Sequence, residues 1–201
     1  SKSLRRGTIG FAEAYIKNDI DCPDLVSLFN FFIANRDRFM DTGDNLFDVR
    51  SKDRIAHHSR HNSREGSRKN ISEHYDLGNE FYALWLDRTM TYSSALFETG
   101  QESLEKAQTA KYASMVDRMG VQPGDHVLEI GCGWGGFAEY AAKERGLKVT
   151  GLTISEEQLK YARERIEKAG LSDQVEFRMQ DYRDCGGTFD GIASIEMFEA
   201  V

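Results

Sequence analysis

Residues 127–136 read VLEIGCGWGG, an apolar run closed by an acid and followed by four glycines within six positions. Glycines after a strand let the backbone turn tightly and approach a ligand, and the start of the next helix offers unpaired N–H donors. Glu129, Gly131, Cys132, Gly133, Gly135 and Gly136 are therefore candidate cofactor contacts. Gly131, Gly133 and Gly136 also satisfy the dinucleotide fingerprint GxGxxG. That fingerprint calls for an acid about 20 residues further on, at the end of the second strand, to hold a ribose. Here that strand reads VTGLTI over 149–154, without an acid. Glu129 before the first glycine, and Gln180, Asp181 and Tyr182 after the third strand, instead fit a nucleoside-dependent methyltransferase. No phosphate-loop Lys-Ser/Thr pair is present, which excludes nucleoside triphosphate chemistry.

Two polar residues near this motif have two readings each. Ser155 to Gln158 spells SEEQ, a capping box in which Gln158 would only close a helix start. The same helix start lies beside the cofactor edge, so Gln158 can serve both purposes. Asp181 is either a cofactor contact or a turn residue after a strand.

The elements that must position these groups follow from periodicity. The chain to about Met40 reads as helical, with Pro23 as a first-turn proline and Leu25, Leu28, Phe29, Phe32 and Ile33 at three- and four-residue spacing. The polar stretch 41–67 breaks that pattern. An aromatic helix is expected through Phe81, Trp85 and Leu86, and another over 104–119 with Gly120 as its stop. Strands at 127–130, 147–152, 175–179 and 189–195 then alternate with helices at 137–145 and from Ser155 to Gly170. Such alternation predicts a parallel, doubly wound α/β sheet. Three domains of organisation result: a helical accessory segment at 1–45, a basic linker at 46–68, and the α/β domain at 69–201. A sheet ending at the fourth strand would leave a bare apolar edge. The sequence is thus expected to be a piece of a longer one at both ends.

Composition sets outer limits. Of the 201 residues, 40% are hydrophobic and 29% charged, which suits a folded domain and not a disordered chain. No apolar run approaches the roughly 18 residues a membrane span needs. The three cysteines are far apart and lack metal spacing, as in a protein kept reduced in the cytoplasm. A net charge of −7 argues against nucleic acid as a partner. Between Arg50 and Lys69, however, seven Lys/Arg and three His face only two acids. That stretch reads as a solvated linker, or as a basic face for anionic lipid headgroups.

Several segments in order resemble the cyclopropane-fatty-acyl-phospholipid synthase family, which includes the mycolic acid cyclopropane synthases. They are HYDLGN at 74–79, TYSS at 91–94, LEIGCGWGG at 128–136, GLTIS at 151–155 with Gln158, QDYRD at 180–184 and MFE at 197–199. A weaker likeness to the family's N-terminal accessory domain covers GFAEAY at 10–15. The resemblance implies a Rossmann-like methyltransferase sheet preceded by a mostly helical segment, with S-adenosylmethionine as cofactor. Tyr75, Tyr92 and Ser93 would then touch the cofactor, the last two at its methionine end, and 128–136 would cradle it. Thr153, Ser155 and Gln158 would meet the ribose, Asp181, Tyr182 and Arg183 would lie about the adenine, and Ile195 would lie along the same pocket. Glu199 matches a glutamate that helps hold a bicarbonate ion. Ser94 stands where many members have cysteine, and its hydroxyl can still donate to that anion. Glu196 stands where some relatives have glycine, and no role is assigned to it.

The implied reaction adds a methylene group across the double bond of an unsaturated phospholipid chain. An alkene is a weak nucleophile, so a dry, closely fitted slot is needed. The cation left on the lipid would be stabilised by aromatic faces, for which Tyr75, Phe81, Tyr82, Tyr92 and Phe198 are candidates besides being ordinary core residues. The expected setting is cytoplasmic, peripheral to the inner face of the membrane, with room for a homodimer. Competing readings are a methyl-branched or methylene lipid product, a small soluble methyl acceptor, and a cofactor-binding module without activity.

Overall fold

The computed structural model describes residues 7–35 and 78–197, and the chain divides into two compact units, Ser1–His61 and Asn62–Val201. The expectations for 36–77, including the linker and the basic stretch, lie outside the described residues, as do those for Phe198 and Glu199.

In the first unit, the region expected to be helical forms α1 (Gly7–Ile16) and α2 (Leu25–Ala34). Asp24 caps α2, accepting from the Ser27 N–H at 3.0 Å and from the Ser27 hydroxyl at 2.6 Å. Pro23 therefore stands just outside the helix and not in its first turn. A side-chain acceptor at position 24 satisfies an orphan N–H, which a proline there could not do. Phe11 and Phe32 join the two helices edge to face, with centroids 6.1 Å apart.

The described part of the second unit opens with the short helix α3 (Gly78–Ala83) and the long α4 (Leu104–Met119). The aromatic helix is shorter than its pattern suggested, and residues 84–86 form turns. Gly120 closes α4, as expected from the sequence, and Ser103 caps its start. The remainder runs β1 (His126–Ile130), α5 (Gly136–Arg145), β2 (Lys148–Thr153), α6 (Glu156–Lys168), β3 (Val175–Met179) and β4 (Gly191–Ser194). A single 3-10 turn, Tyr182–Asp184, interrupts the path from β3 to β4.

The four strands are parallel in the order β3-β2-β1-β4. Register pairs Val127 with Val149 and Val149 with Val175, stacking one apolar row across the sheet. The core fills with Phe137, Ala138, Ala141 and Ala142 of α5 and Leu159, Ala162 and Ile166 of α6. These positions recur every three to four residues, the stripe a helix needs to cover a sheet. Arg165 of α6 forms an ion pair with Glu139 of α5. The chain moves outward from β1 through β2 to β3, then returns to place β4 on the other side of β1. Ligands in open α/β sheets bind at the carboxyl ends of strands where that reversal occurs.

Candidate functional site

A cleft open to solvent lies at those carboxyl ends. Its floor is the loop after β1. The N–H groups of Gly131 and Cys132 both donate to the Leu152 carbonyl, at 3.0 and 2.9 Å, tying the loop to β2. Gly133 adopts φ +52°, and a Cβ there would meet nothing within 4 Å, so this turn presents bare backbone. Gly135 precedes α5 without any side-chain cap, which leaves N–H donors at the helix start for a ligand.

Glu129 is the penultimate residue of β1, beneath this loop. Its side chain is buried and Oε2 has no hydrogen-bond partner. Burial pushes its carboxyl well above the usual carboxylate range, and the Arg165 charge only partly opposes this. An orphaned, buried acceptor in a cleft is costly unless a ligand donor completes it.

The opposite wall is the extended segment carrying Tyr92 and Ser93. Asp87 accepts from the Thr89 N–H at 3.0 Å and from the Thr89 hydroxyl, Thr89 and Thr91 share a hydrogen bond, and Thr91 meets the Tyr112 hydroxyl. Arg165 donates to the carbonyls of Thr89 and Trp134, at 2.6 and 3.4 Å, binding this wall to the floor. Trp134 in turn donates to Asn79 Oδ1 at 2.6 Å, and its ring packs 5.0 Å from Tyr82. Gln108 of α4 donates to the Ser93 carbonyl at 2.7 Å.

At the far end, Thr153, Gln158, Asp181, Tyr182 and Ile195 line the cleft. Asp181 is buried and accepts from the Arg183 N–H and guanidinium, at 2.6 to 3.0 Å.

Of the predicted cofactor residues, Tyr92, Ser93, Glu129, Gly131, Cys132, Gly133, Gly136, Thr153, Gln158, Asp181, Tyr182 and Ile195 thus surround one cleft. Gly135, Ser155 and Arg183 do not line it. A Cβ at Gly135 would come within 3.0 Å of Phe177 and 3.2 Å of Ala162, so its smallness serves helix-to-strand packing. Ser155 spends its hydroxyl capping α6, and Arg183 folds back on Asp181. Ser94, also outside the lining, turns both its N–H and its hydroxyl to Glu196. Tyr75 and Glu199 lie outside the described residues. Sequence reasoning passed over Gln108, Lys111 and Arg165, which hold the walls from helix faces, where charged and amide residues carry no local sign of what they meet.

The sequence profile for mycolic acid cyclopropane synthetase matches residues 62–201. The chain belongs to that family. Among the synthetase family's relatives, it is 38% identical over 205 residues to the tuberculostearic acid methyltransferase UfaA1 of Mycobacterium tuberculosis (strain ATCC 25618 / H37Rv), covering 98% of this chain and 47% of that protein. It is 36% identical over 208 residues to the cyclopropane-fatty-acyl-phospholipid synthase of Escherichia coli (strain K12), covering 98% of this chain and 50% of that one. The chain spans about half the length of the curated relatives it matches. In structure it resembles the mycolic acid cyclopropane synthase CmaA1 complexed with SAH and CTAB. The TM-score is 0.63 and the identity 33%, over 66% of this chain and 46% of that one. The sheet and its helices are those of the S-adenosylmethionine-dependent methyltransferase fold.

Proposed function

We propose that this chain belongs to an enzyme that transfers a methylene group from S-adenosylmethionine to the double bond of an unsaturated phospholipid acyl chain, forming a cyclopropane. The observation that carries this is the cleft at the strand ends, with bare glycine backbone on one side and the unpartnered Oε2 of Glu129 beneath it. S-adenosylmethionine, when bound, supplies an activated methyl group on a sulfonium. The residues present fit it. Glu129 would accept from a cofactor donor, the start of α5 would offer N–H groups and Gln158 its amide, and Asp181 and Tyr182 would meet the base. Tyr92 and Trp134 line the cleft, aromatic side chains of the kind that stabilise a cation.

An acyl substrate also needs an apolar approach. Phe81, Leu84, Trp85, Leu96 and Phe97 are all exposed around the segment that carries Tyr92. Among the described residues no helix is long and apolar enough to cross a membrane. We read the lipid as met at the membrane surface, with the basic stretch 50–69 drawn to anionic headgroups. A cytoplasmic, peripheral placement on the inner face, and a homodimer, are part of the same proposal.

A second product is favoured by the likeness to a tuberculostearic acid methyltransferase along 98% of the chain. The cation formed by methyl addition then loses a proton from a neighbouring chain carbon, giving a methyl-branched alkene, or takes a 1,2-hydride shift and loses a proton of the added methyl, giving a methylene chain. The full-length protein, given S-adenosylmethionine and vesicles of unsaturated phospholipid, decides between them. Upfield ring protons in the product NMR spectrum are expected. A branched methyl signal favours the second product, and unchanged lipid with the cofactor bound rejects both.

A further inference from the structure

The anion expected beside Ser94 would find its donors already occupied by the chain. The Ser94 N–H donates to Glu196 Oε1 at 2.7 Å, and the Ser94 hydroxyl donates to the same oxygen. The hydroxyl is the group through which residue 94 was expected to hold bicarbonate. Glu196 comes from the turn after β4, 102 positions further along the chain, and lines the cofactor cleft beside Ile195 and Met197. Its backbone sits at φ +48°, in the left-handed region that side chains other than glycine rarely adopt. Strain of that kind persists where surrounding contacts enforce it and often marks functional positions. Lys111 of α4 donates to the Ser93 hydroxyl and, at 2.8 Å, to the Ser94 carbonyl. Its ammonium also favours the charged form of Glu196, after the Ser94 hydrogen bonds, which lower the Glu196 carboxyl most. The two serines are held between a cation and an anion that both belong to the chain.

We propose that the Glu196 carboxylate is the resident anion of this site, standing at Ser94 in place of bicarbonate, and that it accepts the proton lost as product forms. This rests on the lipid-alkylating function proposed above. The alkene electron pair forms a bond to the methyl carbon while the sulfur–methyl bond breaks, leaving S-adenosylhomocysteine and a cation on the neighbouring acyl carbon. A C–H bond of the added methyl then breaks. Its proton passes to Glu196, and its electron pair closes the ring. Oε1 takes both Ser94 hydrogen bonds, which leaves Oε2 for the proton. A proton beside a carbocation is so acidic that a weak base suffices.

The test uses the full-length protein with its Glu196→Gly and Glu196→Gln variants, in buffer stripped of carbon dioxide. Glycine suits the left-handed backbone, so the first variant should fold. Wild-type turnover on unsaturated phospholipid vesicles should change less than twofold when bicarbonate is added. Glu196→Gly should lose at least tenfold in stripped buffer and regain it with bicarbonate or formate, while its affinity for S-adenosylhomocysteine stays within threefold. Wild type that needs bicarbonate for turnover overturns the proposal, as does a glycine variant with normal turnover in stripped buffer. Loss of S-adenosylhomocysteine binding in both variants also overturns it, since Glu196 would then only shape the cofactor cleft. Line broadening of carbon-13 bicarbonate gives a readout without turnover. It should occur with Glu196→Gly and not with wild type, and any other pattern overturns the proposal. If no lipid is alkylated, the phospholipid function fails, while this binding measurement still decides where the anion comes from.

Discussion

The hydroxyl of Thr153 donates to Gln158 Oε1 at 3.0 Å, and both side chains are buried at the edge of the cofactor cleft. The same hydroxyl accepts from the Ser155 N–H at 3.1 Å. Gln158 therefore does not complete a reciprocal capping box. Its oxygen is used by Thr153, and the group left for a ligand is its amide NH₂. Thr153→Val would strand a buried acceptor and a buried N–H, at about 1–3 kcal/mol for each group left unpaired. The expected result is a lower melting temperature together with roughly tenfold weaker S-adenosylhomocysteine binding by calorimetry. Thr153→Ser should restore both.

Glu129 should couple cofactor binding to protons. Burial holds its carboxyl well above the ordinary range. A cofactor donor reaching Oε2 stabilises the charged form, so binding lowers this pKa and releases a proton. Affinity should then rise with pH until the pKa of the empty cleft is passed. Calorimetry in buffers of different ionisation enthalpy should detect the release, and Glu129→Gln should abolish it. The variant should also bind about 10- to 100-fold more weakly, the range for a lost hydrogen bond to a charged group.

Lys111 should give activity and stability opposite slopes in alkali. Desolvation lowers its ammonium from 10.5 to about 8, against the attraction of Glu196 and Asp87. Above about pH 8 it loses its charge, and with it the grip on Ser93 and Ser94, so turnover should fall. The folded pKa lies below the unfolded one, so the unfolded chain holds more protons between about 8 and 10.5, and stability should rise there. Lys111→Arg should remove both features, because a guanidinium stays charged throughout. pH–rate profiles and melting curves on the two proteins check this.

Gly151 is predicted to matter for packing and not for the ligand. A Cβ there would lie 2.6 Å from the Phe177 ring and 2.9 Å from Cys132 Cβ, inside the sheet core. Gly151→Ala should cost about 1–3 kcal/mol, the usual range for an overpacked core. Denaturant unfolding should show this, with S-adenosylhomocysteine affinity nearly unchanged in the folded fraction. Weak binding with unaltered stability would place Gly151 in the site instead.

The alternation of apolar runs with capped helices was readable because its signals are local. Val127, Val149 and Val175 announce strands by their neighbours, and Ser103, Gly120 and Ser155 mark helix ends by chemistry that acts within one turn. The glycine loop was legible for the same reason, since the turn, the bare backbone and the helix start are consecutive in the chain. Its individual glycines were not, because Gly135 proved to make room for Phe177 and Ala162. Only the folded sheet decided that Glu196 reaches Ser94 across 102 positions, that Lys111 closes on both serines, and that Asn79 receives the Trp134 indole N–H. Each of these side chains, taken alone, is an ordinary polar residue of a helix or turn. What it does depends on which element the parallel register and the return from β3 to β4 bring beside it, and periodicity along one segment carries no information about that neighbour.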